Sequence, residues 1–477
     1  MASIFKNTTL LIERTNTMSN INSLTDKKKI HFIGIGGISM SGLAEIVHYK
    51  GYEVTGSDMK ASLTTKHLED LGVAIYYGHH QDNITEGVDL IVYTAAIHED
   101  NPELQIAREK NITTITRSKF LGILMKHFDV PICVSGTHGK TTTTSMLSHG
   151  LIAADLDPTI TVGGILKAIQ GNIRIGKSPY FLTEACEYCD SFLDFFPQVG
   201  IILNIEEDHM DYFKDINQIR ESFQKFACKI PSHGFLAING KIPNLDAFNA
   251  PLSCKVETFG ISGDYDWTAQ NINYNNKACA EFDVYYNQTF ITHLQLHVPG
   301  EHNVLNALAV CSVYHFLGLD LELLGKGLKN FTGADQRFEI KGSFNNITVV
   351  DDYAHHPTEI AATLEVAKAY PHNHLYVVFQ PHTYTRTRAF LNDFATVLSR
   401  AENVILTDIY AAREKNPGDI SSKDILKIIH TRGKQALYMK DFEEIANYLR
   451  EHTAPNDLII TMGAGNVNQI ASLLLNN

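Results

Sequence analysis

The chain has 477 residues, enough for about three domains at roughly 150 residues each, which excludes a small disulfide scaffold or a peptide-like factor. Apolar residues make up 44% and charged residues 19%, and no apolar run approaches the ~18 residues of a bilayer span, so the composition predicts a soluble globular protein. A net charge of −13, from 53 acidic and 40 basic residues, disfavours a general role on nucleic acid or anionic membrane and requires any bound anion to be held by local donors. Seven scattered cysteines give no paired framework and the start has no long apolar core, so the expected location is the cytoplasm.

Residues 1–28 mix Asn, Thr, Ser and charge without periodicity and read as a flexible tail, with Met18 as a second plausible start. From Ile30 a short apolar strand meets a glycine turn and then a helical stripe of Met40, Leu43, Ala44 and Val47 that stops at Gly51. Strands are expected at 53–55, 73–77, 88–94 and 112–116 with helix between them, which makes a parallel sheet ending near Asp129. A second series opens with a buried strand at 131–135 that runs into a glycine loop and a helix through Leu151, with further strands at 180–183 and 199–203. Alternating Thr, Val, Tyr and Phe between 234 and 299 suggest antiparallel sheet, followed by a helix over 302–316. The last third alternates again, with strands at 347–351, 375–380, 404–407 and 458–462 and helices at 358–369 and 388–400. The expected architecture is three unlike α/β domains.

The strongest local signal is Gly136-Thr137-His138-Gly139-Lys140-Thr141, followed by Thr142. A strand, a glycine loop and a helix start present backbone N–H groups and a helix dipole to phosphates, Lys140 neutralises charge, and the Thr141 hydroxyl is available to Mg²⁺. The loop is shorter than the standard phosphate loop, with Val134 where a glycine would stand. The first turn, Gly34-Ile35-Gly36-Gly37, with Asp58 downstream, lets the backbone approach a diphosphate, but Ser39 replaces the third glycine of a dinucleotide fingerprint.

Glu184 and Glu187 follow one apolar strand and residues 204–209, ending in Asp208 and His209, follow another. Carboxyl ends of neighbouring parallel strands converge on one crevice, where hard oxygen donors and an imidazole can meet Mg²⁺ beside the phosphate loop. Cys186 and Cys189 have no second pair and are not a zinc site. Further on, Asp351-Asp352-Tyr353-Ala354-His355-His356-Pro357 and Gln380-Pro381-His382-Thr383-Tyr384-Thr385-Arg386 each follow a strand and suit a small anionic or zwitterionic ligand.

Taken in order, these motifs, with Glu301-His302-Asn303-Val304-Leu305-Asn306 between them, resemble the Mur ligases from about Lys29 to the end of the chain. The resemblance implies a Rossmann-like UDP-sugar domain at 29–129, a P-loop ATPase-like domain at 130–331 and a Rossmann-like amino-acid domain at 332–477. It implies ATP-dependent ligation of L-alanine to UDP-N-acetylmuramate through an acyl phosphate, by a monomer or homodimer, with Mg²⁺ and no nucleic-acid or membrane partner. Lys140 would contact the transferring phosphate, with Gly136, Thr137, His138, Gly139, Thr141 and Thr142 around it. Thr141, Glu184 and His209 would bind Mg²⁺, with Glu184 preferred to Glu187 by spacing. His302, Asn303, Asn306, Arg337 and Asp352 would face the nucleotide. Gly36, Gly37, Met40, Ser41, Asp58, Thr94 and Arg117 would receive the UDP portion. Tyr353, His355, His382 and Arg386 would line the acceptor site, His355 and Arg386 taking part in catalysis.

Two departures stand out. Many family members carry arginine where this chain has Thr383, and the spacing of Lys225 does not support the carbamylated lysine that some use. A sister ligase adding a whole tripeptide, an NAD-dependent oxidoreductase using the first turn, and a P-loop switch remain as alternatives. The oxidoreductase leaves the phosphate loop and the Glu184 and His209 cluster unused.

Overall fold

The computed structural model describes residues 24–476 apart from 25, 95, 170 and 413. Most of the expected tail, with Met18, lies outside the described residues. Among the described residues the strands form three sheets, each flanked by helices.

The first sheet is parallel, with spatial order Ala74–Tyr77, Glu53–Asp58, Lys29–Ile33, Leu90–Tyr93, Thr113–Thr116. Strand order reverses beside Lys29–Ile33, so the glycine turn after that strand opens at a topological switch point, the usual crevice of such sheets. The second sheet centres on Val130–Ser135, between Tyr180–Ala185 and Val199–Ile202. Register pairs Ser135 with both Ala185 and Ile202, so the loops leaving these three strands emerge side by side.

The sequence alternation at 234–299 divides in two. Phe235–Asn239 and Lys255–Gly260 extend the sheet in parallel, and only Trp267–Tyr274, Cys279–Tyr286 and Thr289–Pro299 form an antiparallel meander. At the other edge, Thr159–Leu166 and Gly171–Arg174 add a parallel strand and an antiparallel one, both absent from the sequence reading because Gly163 and Gly164 interrupt the apolar pattern. The third sheet is parallel except for its edge strand Glu339–Phe344. The helix expected at 388–400 is two, Tyr384–Ala389 and Leu391–Leu398, broken at Phe390, whose ring packs edge-on to His356 at 4.7 Å.

Strand alternation assigns the cores. In the second sheet Ile132, Val134, Leu182 and Ile201 face the helices Lys140–Ala153 and Glu301–Phe316, while Cys133, Phe181 and Ile202 face the opposite way. That opposite core is continuous with the first sheet's, joining Phe32, Phe120 and Leu124 to Phe192, Phe223 and Phe226. Gly122 permits this seam, because a Cβ there would lie 2.0 Å from the Asp194 carbonyl oxygen. The third sheet keeps its own cores on its two faces.

Candidate active site

The phosphate loop is built by two demands on the backbone. Gly139 caps the helix Lys140–Ala153 with φ +84°, a left-handed conformation, and a Cβ there would approach Asn306 Oδ1 at 3.1 Å. Asn204, from the neighbouring strand's loop, clasps the next residue: its Oδ1 accepts from the His138 N–H at 2.8 Å and its Nδ2 donates to the His138 carbonyl at 3.1 Å. The Thr137 hydroxyl accepts from the Glu206 N–H at 3.0 Å, so it is committed to the 204–209 loop.

Lys140 Nζ donates to the Gly136 carbonyl at 2.5 Å, to the Thr137 carbonyl at 3.0 Å and to Glu187 Oε2 at 3.1 Å. Burial by itself would discharge it, but Glu187 and then the neighbouring Cys186 and Glu184 hold it above the ordinary lysine range, so it is a cation. Glu187 is 2% exposed, and its other oxygen, Oε1, lacks a hydrogen-bond partner and lies 4.0 Å from His209 Nε2. Glu184 is close by but differently engaged, accepting from the Gly163 N–H at 2.6 Å. The structure therefore sets Glu187, which spacing had ranked second, against both Lys140 and His209, with Glu184 beside them. Thr141 sits in the first turn of the same helix.

Beside the loop is a cavity of about 300 Å³ lined by His138, Gly139, Thr142, His302, Asn303, Asn306, Arg337 and Asp352, with Asn204 and Glu206 of the 204–209 segment, all expected near the nucleotide, together with Asn239, Thr358 and Glu359, which were not. Asn306 Nδ2 donates to Asn303 Oδ1 at 3.0 Å, and Asn303 Nδ2 to the Pro299 carbonyl at 2.7 Å. Burial, aided by the Arg337 charge, lowers His302 to about 4, so its ring is neutral. Burial raises Asp352 to about 6 although the Phe338 and Ala354 N–H groups donate to it.

A second cavity, of about 320 Å³, is lined by Tyr188, Asp208, His209, His382, Arg386 and Glu414 among others. Arg386 donates to Asp208 Oδ1 from Nη2 at 2.6 Å and from Nε at 3.1 Å, and from Nη1 to His382 Nδ1 at 3.1 Å. Burial would raise Asp208, yet Arg386, His209 and His355 hold it well below the carboxylate range. Burial first, then His355 and Arg386, drop His382 to about 3. A guanidinium only donates, so the neutral His382 ring accepts at Nδ1 and carries its proton on Nε2. Thr383 stands where the resemblance would place an arginine. It has φ +63° and caps the helix Tyr384–Ala389, while Glu414 accepts from the Tyr384 and Thr385 N–H groups at 2.6 and 3.0 Å. A threonine at that φ is strained, and these surrounding bonds hold it. A chain of contacts links the cavities: Arg337 lies 5.1 Å over the Tyr353 ring, Tyr353 packs on His355 at 5.3 Å, and His355 on His382 at 5.8 Å.

In the first turn, Asp58 Oδ2 accepts from the Gly36 N–H at 2.8 Å, Thr94 packs under Gly34, and Arg117 Nη1 reaches Ser39 Oγ at 3.0 Å. Met40 and Ser41 depart from expectation. Both are buried, Met40 in the core and Ser41 with its hydroxyl turned to the Ile38 carbonyl at 2.9 Å, because they occupy the core-facing side of the helix Ile38–Tyr49. Lys225 is exposed and paired with Glu221 one turn away at 2.8 Å.

The chain matches three family models in this order: the Mur ligase family catalytic domain over residues 29–129, the Mur ligase middle domain over 134–314, and the Mur ligase glutamate ligase domain over 336–465. The chain belongs to the Mur ligase family. Among curated Mur ligases it is 54% identical to a UDP-N-acetylmuramate--L-alanine ligase of Agathobacter rectalis over 446 residues, 94% of this chain and 97% of that protein. It is 50% identical to one of Caldanaerobacter subterraneus over 94% of this chain and 97% of that one. Among solved Mur ligases, a UDP-N-acetylmuramate-alanine ligase from Thermotoga maritima superposes with a TM-score of 0.79 at 30% identity, covering 94% of this chain and 98% of the other. A murein peptide ligase from Psychrobacter arcticus, 24% identical over 94% of this chain and 98% of its own, shares the fold with a TM-score of 0.70. Among the described residues no helix is long and apolar enough to cross a membrane.

Proposed function

We propose that the chain joins L-alanine to UDP-N-acetylmuramate in the cytoplasm, with cleavage of ATP to ADP and phosphate, as a step of peptidoglycan precursor synthesis. A carboxylate is a poor acyl donor because oxide does not leave. Transfer of the γ-phosphoryl group to a carboxylate oxygen converts that oxygen into part of a phosphate leaving group. The neutral alanine amine then forms a bond to the acyl carbon, its nitrogen gives up a proton to solvent, the tetrahedral centre collapses, and the carbon–oxygen bond breaks to release phosphate.

In this reading the 136–142 loop holds the nucleotide phosphates, Lys140 offsets their charge, and His302, Asn303, Asn306, Arg337 and Asp352 hold the rest of the nucleotide. Gly36, Gly37, Asp58, Thr94 and Arg117 receive the UDP portion. Tyr353, His355, His382 and Arg386 line the acceptor site, where the Nε2 proton of His382 is a donor to oxygen that becomes anionic. Thr141, Glu184, Glu187 and His209 fit a magnesium ion: they are hard donors with one imidazole, and the unpartnered Glu187 Oε1 is buried beside His209. Magnesium there would neutralise charge on the transferring phosphoryl group.

One observation carries the reading. Glu187 meets Lys140 and lies 4.0 Å from His209, and Asp208, next to His209, meets Arg386, so the 204–209 loop touches both the group around Lys140 and the second cavity, which supports phosphoryl transfer and amine attack at neighbouring sites. The test is ADP formation by the purified protein with ATP, magnesium and UDP-N-acetylmuramate, comparing L-alanine, the tripeptide and no amine. Release that requires L-alanine, with an alanylated sugar nucleotide by mass spectrometry, is the expected result, and Lys140→Ala should lower kcat on the order of a hundred- to a thousandfold. Release that requires the tripeptide instead would assign the sister activity.

A further inference from the structure

The seam between the second and third sheets holds a carboxylate to which the reaction scheme gives no task. Glu359 lies in the first turn of the helix Pro357–Ala369, and its Oε2 accepts from the N–H groups of His355 and His356 at 3.1 and 3.3 Å. That is a capping arrangement, and it uses one oxygen. The other, Oε1, crosses the seam to His138 Nδ1 of the phosphate loop at 3.1 Å. The carboxylate is 13% exposed, and although burial would raise its pKa, His355 and His138 hold it well below the ordinary carboxylate range, so it is ionised.

His138 is fixed from three directions. Asn204 holds its backbone, Glu359 its Nδ1, and Nε2 is buried and faces Glu206 Oε2 at 3.5 Å. His356 lies 4.7 Å away ring to ring, and donors of His138, Glu206 and His356 fall within 4.8 Å of one another. A metal does not account for the cluster, because both His356 nitrogens are engaged: Nε2 donates to the Glu207 carbonyl at 2.9 Å and Nδ1 accepts from the Thr358 N–H at 3.3 Å. What remains is an imidazole between two carboxylates, one from its own domain and one from the next.

We propose that Glu359 is a positioning residue for phosphoryl transfer: carried in by the third domain, it clamps His138 against Glu206, so that the phosphate loop gains a second cation beside Lys140 only while that domain is closed. This rests on assigning the loop to ATP. A catalytic site that completes its charge on closure does not spend ATP on water before the acceptor domain is in place.

The titration follows with a definite sign. Burial alone would discharge His138, and Glu359 and Glu206 reverse this, raising it to about 9. His356, facing it from the helix start, is lowered to about 4 by burial and then by His138 itself. Beyond Glu359 stand His355, Arg337 and Asp352. Closure near neutral pH therefore takes up a proton on His138. The benefit is complete below about 6.5, the ordinary histidine value, and is lost as pH rises through about 9.

The experiment is the pH profile of kcat at saturating substrates for wild type, Glu359→Gln, Glu359→Asp, His138→Asn and the Glu359→Gln/His138→Asn double variant, with thermal melts to establish folding. The expected result is that Glu359→Gln moves the alkaline limb toward neutrality by about one unit or more, with KM for L-alanine changed less than about threefold. Glu359→Asp should restore part of that shift, and Glu359→Gln should add no shift in the His138→Asn background. A wild-type limb in Glu359→Gln, or an equal shift with and without His138, overturns the proposal. Should Glu359→Gln fail to fold, His138→Asn decides: loss of the limb supports the proposal and its retention overturns it. Full activity in Lys140→Ala would overturn the ATP assignment itself, a separate outcome.

Discussion

The two seams of this molecule are made of opposite materials. Between the first and second sheets the contact is apolar and continuous, with Phe120 and Leu124 in one core with Phe192, Phe223 and Phe226, and with the Phe192 and Phe226 rings stacked at 4.8 Å. Among the described residues its polar contacts include Ser118 Oγ to Asp194 at 2.5 Å and Asn172 Nδ2 to the Ile38 carbonyl at 2.7 Å. Between the second and third sheets the described contacts are ionic and imidazole-rich: His138 with Glu359, Thr358 with Glu206, His356 with the Glu207 carbonyl, and Arg386 with Asp208. Apolar area exposed on parting is a steady cost, whereas charged groups that separate are rehydrated, so the first seam is suited to permanence and the second to opening. On the proposed function, the first seam would hold the sugar-nucleotide and phosphate sites together, and the ionic seam would be the one that opens.

The sharpest way to break this contrast is at Asp208. Asp208→Ala leaves Arg386 unpaired in the closed seam, where the two side chains are 7% and 9% exposed. The expected loss is about 2–5 kcal/mol in closing, read as a fall in kcat/KM of tens- to thousands-fold, with little movement of the urea midpoint of unfolding. An unfolding midpoint that falls in step with activity would show that the ionic seam is as permanent as the apolar one. A smaller effect of the opposite kind is expected at Gly122→Ala, where a methyl group meets the Asp194 carbonyl. Overpacking there should remove about 1–3 kcal/mol of stability by urea denaturation and leave kcat/KM near wild type under native conditions. A selective loss of activity with unchanged stability would mean that the first seam also takes part in turnover.

The same division explains what the sequence disclosed. The loop 136–141, the strands around it and the histidine motifs were legible because each is local, with turn chemistry and helix capping written in adjacent residues. The burial of Met40 and Ser41 was not legible, because a motif names a turn without saying which side of the following helix faces the core. Glu359 was missed because its partner is remote: it lies 221 positions from His138, and no periodicity marks such a pair. That Glu187 meets Lys140 was not legible, because the backbone after Ala185 twists through left-handed residues at Cys189 and Asp190, which spacing does not report. The apolar seam was invisible for a related reason: the unbroken apolar run in Val130–Ser135 shows that both faces are covered, but not that a different domain covers one of them.

The smallest expected effect is at Lys225, and it is informative because some family members use a modified lysine in this region. Here the helix Ile216–Ala227 turns Phe223 and Phe226 into the apolar seam, and Lys225, between them in sequence, points to solvent. Its side chain is 61% exposed and pairs with Glu221, 62% exposed, one turn earlier on the same helix. A carbamylated lysine acts by bringing an anionic oxygen to a metal, whereas the hard donors of this chain, Thr141, Glu184, Glu187 and His209, gather around the phosphate loop. Exposed pairs of this kind contribute little, so Lys225→Ala should change kcat by less than about twofold. Added bicarbonate should leave both proteins unaltered. A large loss in Lys225→Ala that short carboxylic acids restore would place the helix at the metal, and would mean that the rigid seam shifts far enough during turnover to turn an outward lysine in.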